Sequence, residues 1–232
     1  IIGSILGAFY PHFYVLLSLF GVATIINALV IPRYKGEIRE DKRERIKEFK
    51  ALIKPLLSFS IFNLSAEIFY VMFIPVLTMY KLPSWTYFIS YTILYVIDEY
   101  AYYKSPKIVK DNELYYAFAS ISARSGIVLV LGLLLFSSIN ISFGIIPIFL
   151  LFGLIYPVYS TSFFSLMFKN LSKNRGAIIG LFNAGENLAS AGGSILSSFV
   201  NPHSLSQAYF ISFFGFVISF FLLLDYETRV KV

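Results

Sequence analysis

The sequence predicts an all-α membrane protein, a bundle of six transmembrane helices preceded by one full and one truncated helix. Three observations carry this. The 232-residue chain is 57% hydrophobic and only 14% charged, where a soluble domain has about 25% charged residues. Its apolar residues come in continuous runs of about twenty, long enough to cross a hydrocarbon core, and not in the alternating pattern of a barrel strand. In lipid only helices and closed barrels satisfy their own backbone polar groups. The third observation is a single long hydrophilic run, residues 33–54, which holds nine of the nineteen Lys and Arg residues and five of the thirteen Asp and Glu residues.

In chain order, residues 1–9 read as the tail of a helix and Tyr10-Pro11-His12 as a tight turn. With no methionine and no basic leader at Ile1, the sequence is expected to open inside a helix, with a larger N-terminal part before it. Residues 13–32 make a full span, since twenty residues rising about 1.5 Å each cover about 30 Å. The basic loop follows. Ile46, Phe49 and Ile53 recur at helical spacing, so its second half reads either as a helix on the membrane surface or as a solvated linker. Six further spans are expected at 55–79, 85–103, 114–136, 143–168, 176–200 and 207–224. A long basic loop stays on the cytoplasmic side. Threading the spans from it puts 104–113, 169–175 and 225–232 inside, and 80–84, 137–142 and 201–206 outside. The inside segments then hold 17 Lys and Arg residues and the outside ones only Lys81. A shift by one span destroys that split. The expected location is the cell membrane, with loop 33–54 and the C-terminus cytoplasmic.

The same charge placement excludes several functions. The net charge of +6 sits in short loops, where it sets topology and offers no phosphate-binding face, so nucleic acid is not an expected partner. The absence of cysteine removes disulfides, thiolate metal sites and cysteine nucleophiles. His12 and His203 each stand behind a proline with no carboxylate or second histidine nearby, so no metal is expected. No nucleophile-base-acid set or phosphate loop occurs. Neither enzyme activity nor a cofactor is expected.

Five ionisable residues fall inside spans: Glu67, Asp98, Glu99, Arg124 and Glu186. Counted from the cytoplasmic ends, Glu67 lies about 18 Å deep, Arg124 and Glu186 about 15 Å and Asp98 about 8 Å. An unpaired charge at mid-bilayer costs at least about 2.5–3.5 kcal/mol. Asn183, Glu186, Asn187, Ser190 and Ser194 share one helical face. That face reads as a solute or proton pathway, or as a polar seam between helices. A neighbouring face carries Gly185, Ala189 and Gly193, a row suited to close helix contact. Glu67 has Asn63 and Tyr70 on its own face, and is read equally as pathway or as structure. Arg124 is expected to pair with a neighbouring acid, with Asp98 the first choice. In the stretch 156–162, Pro157 can bend the helix while Tyr156 and Tyr159 offer ring and hydroxyl.

The chain also repeats itself. Gly3-Ser4-Ile5-Leu6 and Phe9 match Gly193-Ser194-Ile195-Leu196 and Phe199; Pro11-His12 matches Pro202-His203; Ser18, Phe20 and Gly21 match Ser212, Phe214 and Gly215. The offset of about 190 residues spans six helices, and six-helix repeats joined by a long central loop are the layout of the major facilitator superfamily. On these residues the chain resembles the end of the first half, the central loop and the complete second half of such a twelve-helix transporter. The stretch 97–107 keeps the order of acids before bases seen in the family's cytoplasmic signature but lacks its glycines and arginines. The resemblance implies that the helices carrying Glu67 and Asn63, Tyr156 and Tyr159, and Glu186, Asn183, Asn187 and Ser190 border a central cavity, and that the helix of Arg124 is peripheral. It also implies secondary active transport of a small organic solute by alternating access, with proton coupling as an expectation. The lipid bilayer, a small-molecule substrate and a preceding six-helix half are then the partners. The rival reading is a non-transporting receptor or assembly scaffold on the same bundle.

Overall fold

The computed structural model describes residues 42–170, 175–200 and 204–230. The expected elements of 1–32, the first copy of the repeat and the Pro202-His203 turn lie outside the described residues. Within them there is no strand, and six α-helices follow one another: α1 (Lys42–Met79), α2 (Trp85–Val109), α3 (Glu113–Phe136), α4 (Ile145–Asn170, entered through a 3-10 turn at Ser142–Gly144), α5 (Arg175–Ser198) and α6 (Leu205–Val230). Four of the six contain a segment long and apolar enough to cross a membrane: 52–79, 113–136, 142–169 and 205–228. The other two are as long but more polar, α2 through Asp98, Glu99, Lys104 and Lys107, α5 through Asn183, Glu186, Asn187 and its glycines. Of the two readings of the basic loop's second half, the helical one is seen from Lys42 onward. It is the first part of α1, which runs through Pro55 without a break.

Three helices, α1, α2 and α3, are followed by a left-handed residue that is not glycine: Lys81, Asp111 and Ser138. Of these, Lys81 and Ser138 close α1 and α3 in the same way. The Leu82 amide reaches back to the Leu77 carbonyl at 3.0 Å, and the Ile139 amide to the Leu134 carbonyl at 3.0 Å. These bonds satisfy carbonyls that a helix end otherwise leaves open.

α1 organises the bundle, and its two flanks use opposite packing rules. One flank is built from small residues. The hydroxyls of Ser58 and Ser219 donate to each other's backbone carbonyls at 2.8 and 2.9 Å, and one heptad away the Ser212 hydroxyl donates to the Ser65 carbonyl at 2.7 Å. Together these bring α6 against α1. Gly185 and Gly193, on the small-residue face, pack α5 against α1, as their spacing predicts. A Cβ on Gly193 would lie 2.6 Å from the Leu64 carbonyl oxygen and 2.8 Å from the Glu67 Cβ.

The other flank of α1 meets α4 through rings. Phe59, Phe62, Phe69 and Phe73 pair in antiparallel register with Phe163, Tyr159, Phe152 and Phe149. Three of these rungs are stacked, with ring centres 3.6, 3.8 and 3.9 Å apart. The spacing on both helices continues through position 66 on α1 and 156 on α4. There the ladder is broken, because the register of the four ring pairs sets Ala66, which has no ring, at the level of Tyr156. At the ends of the spans that the charge pattern places inside, Lys54 on α1 pairs with Asp225 on α6, and Lys169 on α4 pairs with Glu113 on α3 at 2.6 Å.

The close α1–α5 contact makes a test. Gly193→Ala pushes a methyl group into backbone and is expected to lower stability by about 1–3 kcal/mol. Gly180→Ala, where nothing lies within 4 Å, is expected to be neutral or to gain up to about 1 kcal/mol from helix propensity. Unfolding of the purified protein in detergent measures both, and equal effects would contradict the packing.

Candidate functional site

The gap in the ring ladder is filled by a charge. Arg124 on α3 is fully buried, and its guanidinium carbon lies 4.2 Å from the ring centre of Phe152, 5.1 Å from Phe62 and 5.2 Å from Tyr156. It thus occupies the rung that Ala66 leaves empty. Its Nε donates to the Phe152 carbonyl at 3.0 Å and its Nη2 to the Tyr70 hydroxyl at 3.3 Å. Nη1 has no acceptor among the described residues. Three ring faces stand in its place, an arrangement worth roughly 2 kcal/mol or more where the cation is desolvated.

Beside this cation, between α1, α2 and α4, lies a cavity of about 330 Å³ lined by Glu67, Tyr70, Tyr91, Leu94, Tyr95, Asp98, Gly153 and Tyr156. Gly153 lets α2 and α4 approach at this level, since a Cβ there would run into the Leu94 side chain. The Ser105 and Thr161 hydroxyls, 2.6 Å apart, join the same two helices further along. α5 contributes from outside the wall. Its Ser194 hydroxyl donates to Glu67 Oε1 at 3.0 Å, and its Glu186 Oε1 accepts from the Tyr156 hydroxyl at 2.7 Å. Every ionisable residue expected at depth except Glu99, which is exposed, therefore lies in or next to one cavity.

The expected site residues separate into two groups. Glu67, Tyr156 and Asp98 line the cavity, and Glu186 is tied to it through Tyr156. The others are elsewhere. Asn63 is buried, but its side-chain amide donates to the Phe59 carbonyl of its own helix at 3.0 Å. Tyr159 is a fully buried rung of the ring ladder, stacked on Phe62. Asn183 and Asn187 are exposed and Ser190 is half-buried, so the α5 stripe splits and only Glu186 and Ser194 reach the site. The structure does not bring Arg124 and Asp98 into contact. Arg124 is turned to Phe152 and Tyr70, and Asp98 has neither a hydrogen-bond nor an ion-pair partner among the described residues.

Sequence reasoning missed Tyr91, Tyr95, Leu94 and Gly153 as lining residues. A usable signal existed for two of them, because Tyr91, Tyr95 and Asp98 are spaced four and three apart and share a helical face. The site can bind and orient a solute of modest size, and it can hold a proton or a cation at its carboxylates. Among the described residues no group of three His, Asp or Glu is placed to hold a metal ion.

A second test follows from the surroundings of Arg124. Arg124→Lys keeps a buried charge but loses the planar group that meets three rings and two oxygens, and is expected to cost about 3 kcal/mol or more. Arg124→Met removes the charge, fills similar space and is expected to cost less. Denaturation of the two variants decides, and a lysine variant as stable as wild type would contradict the stacking role.

Comparison of the chain with protein-family models, with curated proteins and with solved structures finds no match.

Proposed function

We propose that the chain is part of a secondary active transporter of the major facilitator type, moving a small organic solute by alternating access about the cavity between α1, α2 and α4. In this reading α2 and α5 also cross the membrane, so that 42–230 carries six spans and forms the second half of a twelve-helix protein. The bilayer is the cell membrane, with the 33–54 loop and the C-terminus on the cytoplasmic side. The two polar helices are the ones that bring Asp98 and Glu186, as expected of spans that face a solute path and not lipid. The observation that carries the proposal is the cavity itself. Glu67 and Asp98 in its wall, and Glu186 bonded to Tyr156, place three carboxyl groups around one space within an apolar bundle. A receptor or scaffold has no need of convergent ionisable groups at that depth, where each carries a cost.

Glu186 is the group assigned to proton coupling. It reaches the cavity wall through one hydrogen bond, and Asn183 and Asn187 beside it are exposed. Replacing it by glutamine keeps an acceptor for the Tyr156 hydroxyl but removes the exchangeable charge. In proteoliposomes containing the full-length protein, Glu186→Gln is expected to insert and fold normally, to lose solute accumulation driven by a proton gradient, and to keep part of the gradient-free exchange. Normal accumulation with normal pH dependence would make Glu186 a structural residue and remove the coupling assignment. No transport of any solute by the wild type would favour the receptor or scaffold reading.

A further inference from the structure

We infer that the cavity between α1, α2 and α4 takes an organic cation, a substituted ammonium group on an apolar body. The inference rests on the reading of this cavity as the solute site and narrows the class of solute. The wall contains two carboxylates, Glu67 and Asp98, and four tyrosine rings, Tyr70, Tyr91, Tyr95 and Tyr156. Aromatic faces together with carboxylates are the surroundings that recognise quaternary ammonium ions.

The charges around the cavity favour the same sign of ligand. Three carboxyl groups, Glu67, Asp98 and Glu186, lie in or against the wall, and one guanidinium, Arg124, lies behind it. Arg124 is sealed from the cavity: it is fully buried, enclosed by Phe62, Phe152 and Tyr156, and hydrogen-bonded to the Phe152 carbonyl and the Tyr70 hydroxyl. An anion would therefore meet carboxylates with no accessible cation to hold it. Two of the carboxyls already have hydrogen-bond donors, Glu67 from Ser194 and Glu186 from Tyr156. Asp98 has none among the described residues, so it is the carboxylate in the wall best placed to pair with a cationic ligand. Size selects an organic ion over a bare one. At about 30 Å³ for each water, a space of about 330 Å³ has room for a body of several carbon atoms and lies at the small end of ligand sites.

The test uses the full-length protein in lipid nanodiscs and three probes of similar shape. These are benzyltrimethylammonium, whose charge does not vary with pH, its uncharged counterpart dimethylbenzylcarbinol, and the anion phenylacetate. Calorimetric titration is expected to show saturable binding of the cation alone. Asp98→Asn is expected to weaken it about thirtyfold through loss of a charge pair, and Tyr95→Leu, at a half-exposed ring, about fivefold. Glu99→Gln, one residue away but outside the wall, is expected to leave it unchanged. Both wall variants must retain wild-type thermal unfolding for the comparison to be read, and Tyr95→Leu serves where Asp98→Asn does not. No saturable binding of the cation, equal binding of the carbinol or of phenylacetate, or wild-type affinity in the folded variants overturns the inference. Uptake by proteoliposomes separates this inference from the transport reading. Cation binding without uptake of any solute keeps the site and removes transport. Uptake of uncharged solutes without cation binding keeps transport and removes the cation site.

Discussion

Arg124 places a full positive charge inside a core of phenylalanine and tyrosine, and much of the geometry around the cavity follows from how that charge is accommodated. A buried cation is tolerated only when something replaces its hydration. Among the described residues no carboxylate bonds to it. The replacement is one carbonyl, one phenol and three ring faces, and those groups come from α1 and α4. The ladder between these two helices has one position without a ring, Ala66, and the guanidinium fills it. The ring of Tyr156, opposite Ala66, lies against the guanidinium while its hydroxyl points to Glu186. Tyr70 is fixed at its hydroxyl by Nη2. Two of the cavity's four tyrosines are thus oriented by a cation that does not itself line the cavity.

Packing and chemistry fall on different faces of the same helices. α1 turns serine toward α6, the Leu64 carbonyl toward Gly193 of α5, and phenylalanine toward α4, so it approaches two neighbours closely and is held off the third by rings. Close approach on one side and ring-filled separation on the other leave room beside α4 for the cavity. The two helices that lack a segment apolar enough to span a membrane, α2 and α5, bring Asp98 and Glu186 to the site. Their lower hydropathy is the cost of carrying these groups. Four apolar helices supply most of the buried core into which those groups are set.

How legible this was depended on the kind of interaction. Long apolar runs, helical content and the small-residue face at Gly185, Ala189 and Gly193 were readable because each depends on local spacing along one helix. Glu67 and Glu186 stand out as ionisable residues inside apolar runs, and the structure puts Glu67 in the cavity wall and ties Glu186 to it through Tyr156. Spacing along one helix goes astray where the outcome depends on a neighbour. Asn63 shares a face with Glu67, which by spacing reads equally as pathway or as structure, and its amide is satisfied by its own helix. Asn183 and Asn187 share a face with Glu186 but lie on its exposed edge. Asp98 is the first-choice partner for Arg124 because sequence gives charge and not stacking partners. The ring ladder was present as parallel spacings, 59, 62, 66, 69, 73 and 149, 152, 156, 159, 163. In a chain that is 19% aromatic, nothing marked those rings from the rest. Only the register of α1 against α4 shows that Ala66 is a missing rung.

The most direct measurement is a double-mutant cycle on that rung. Ala66→Phe alone drives a ring into the space of the guanidinium and should destabilise the protein by about 2 kcal/mol. Arg124→Ala alone leaves a void among three rings and should cost about 3 kcal/mol. If the guanidinium is the missing rung, the new ring fills the void, and the double variant should be more stable than the sum of the singles by at least about 1.5 kcal/mol. Additive losses would mean that residues 66 and 124 do not share one space, and the role assigned to Arg124 would be wrong.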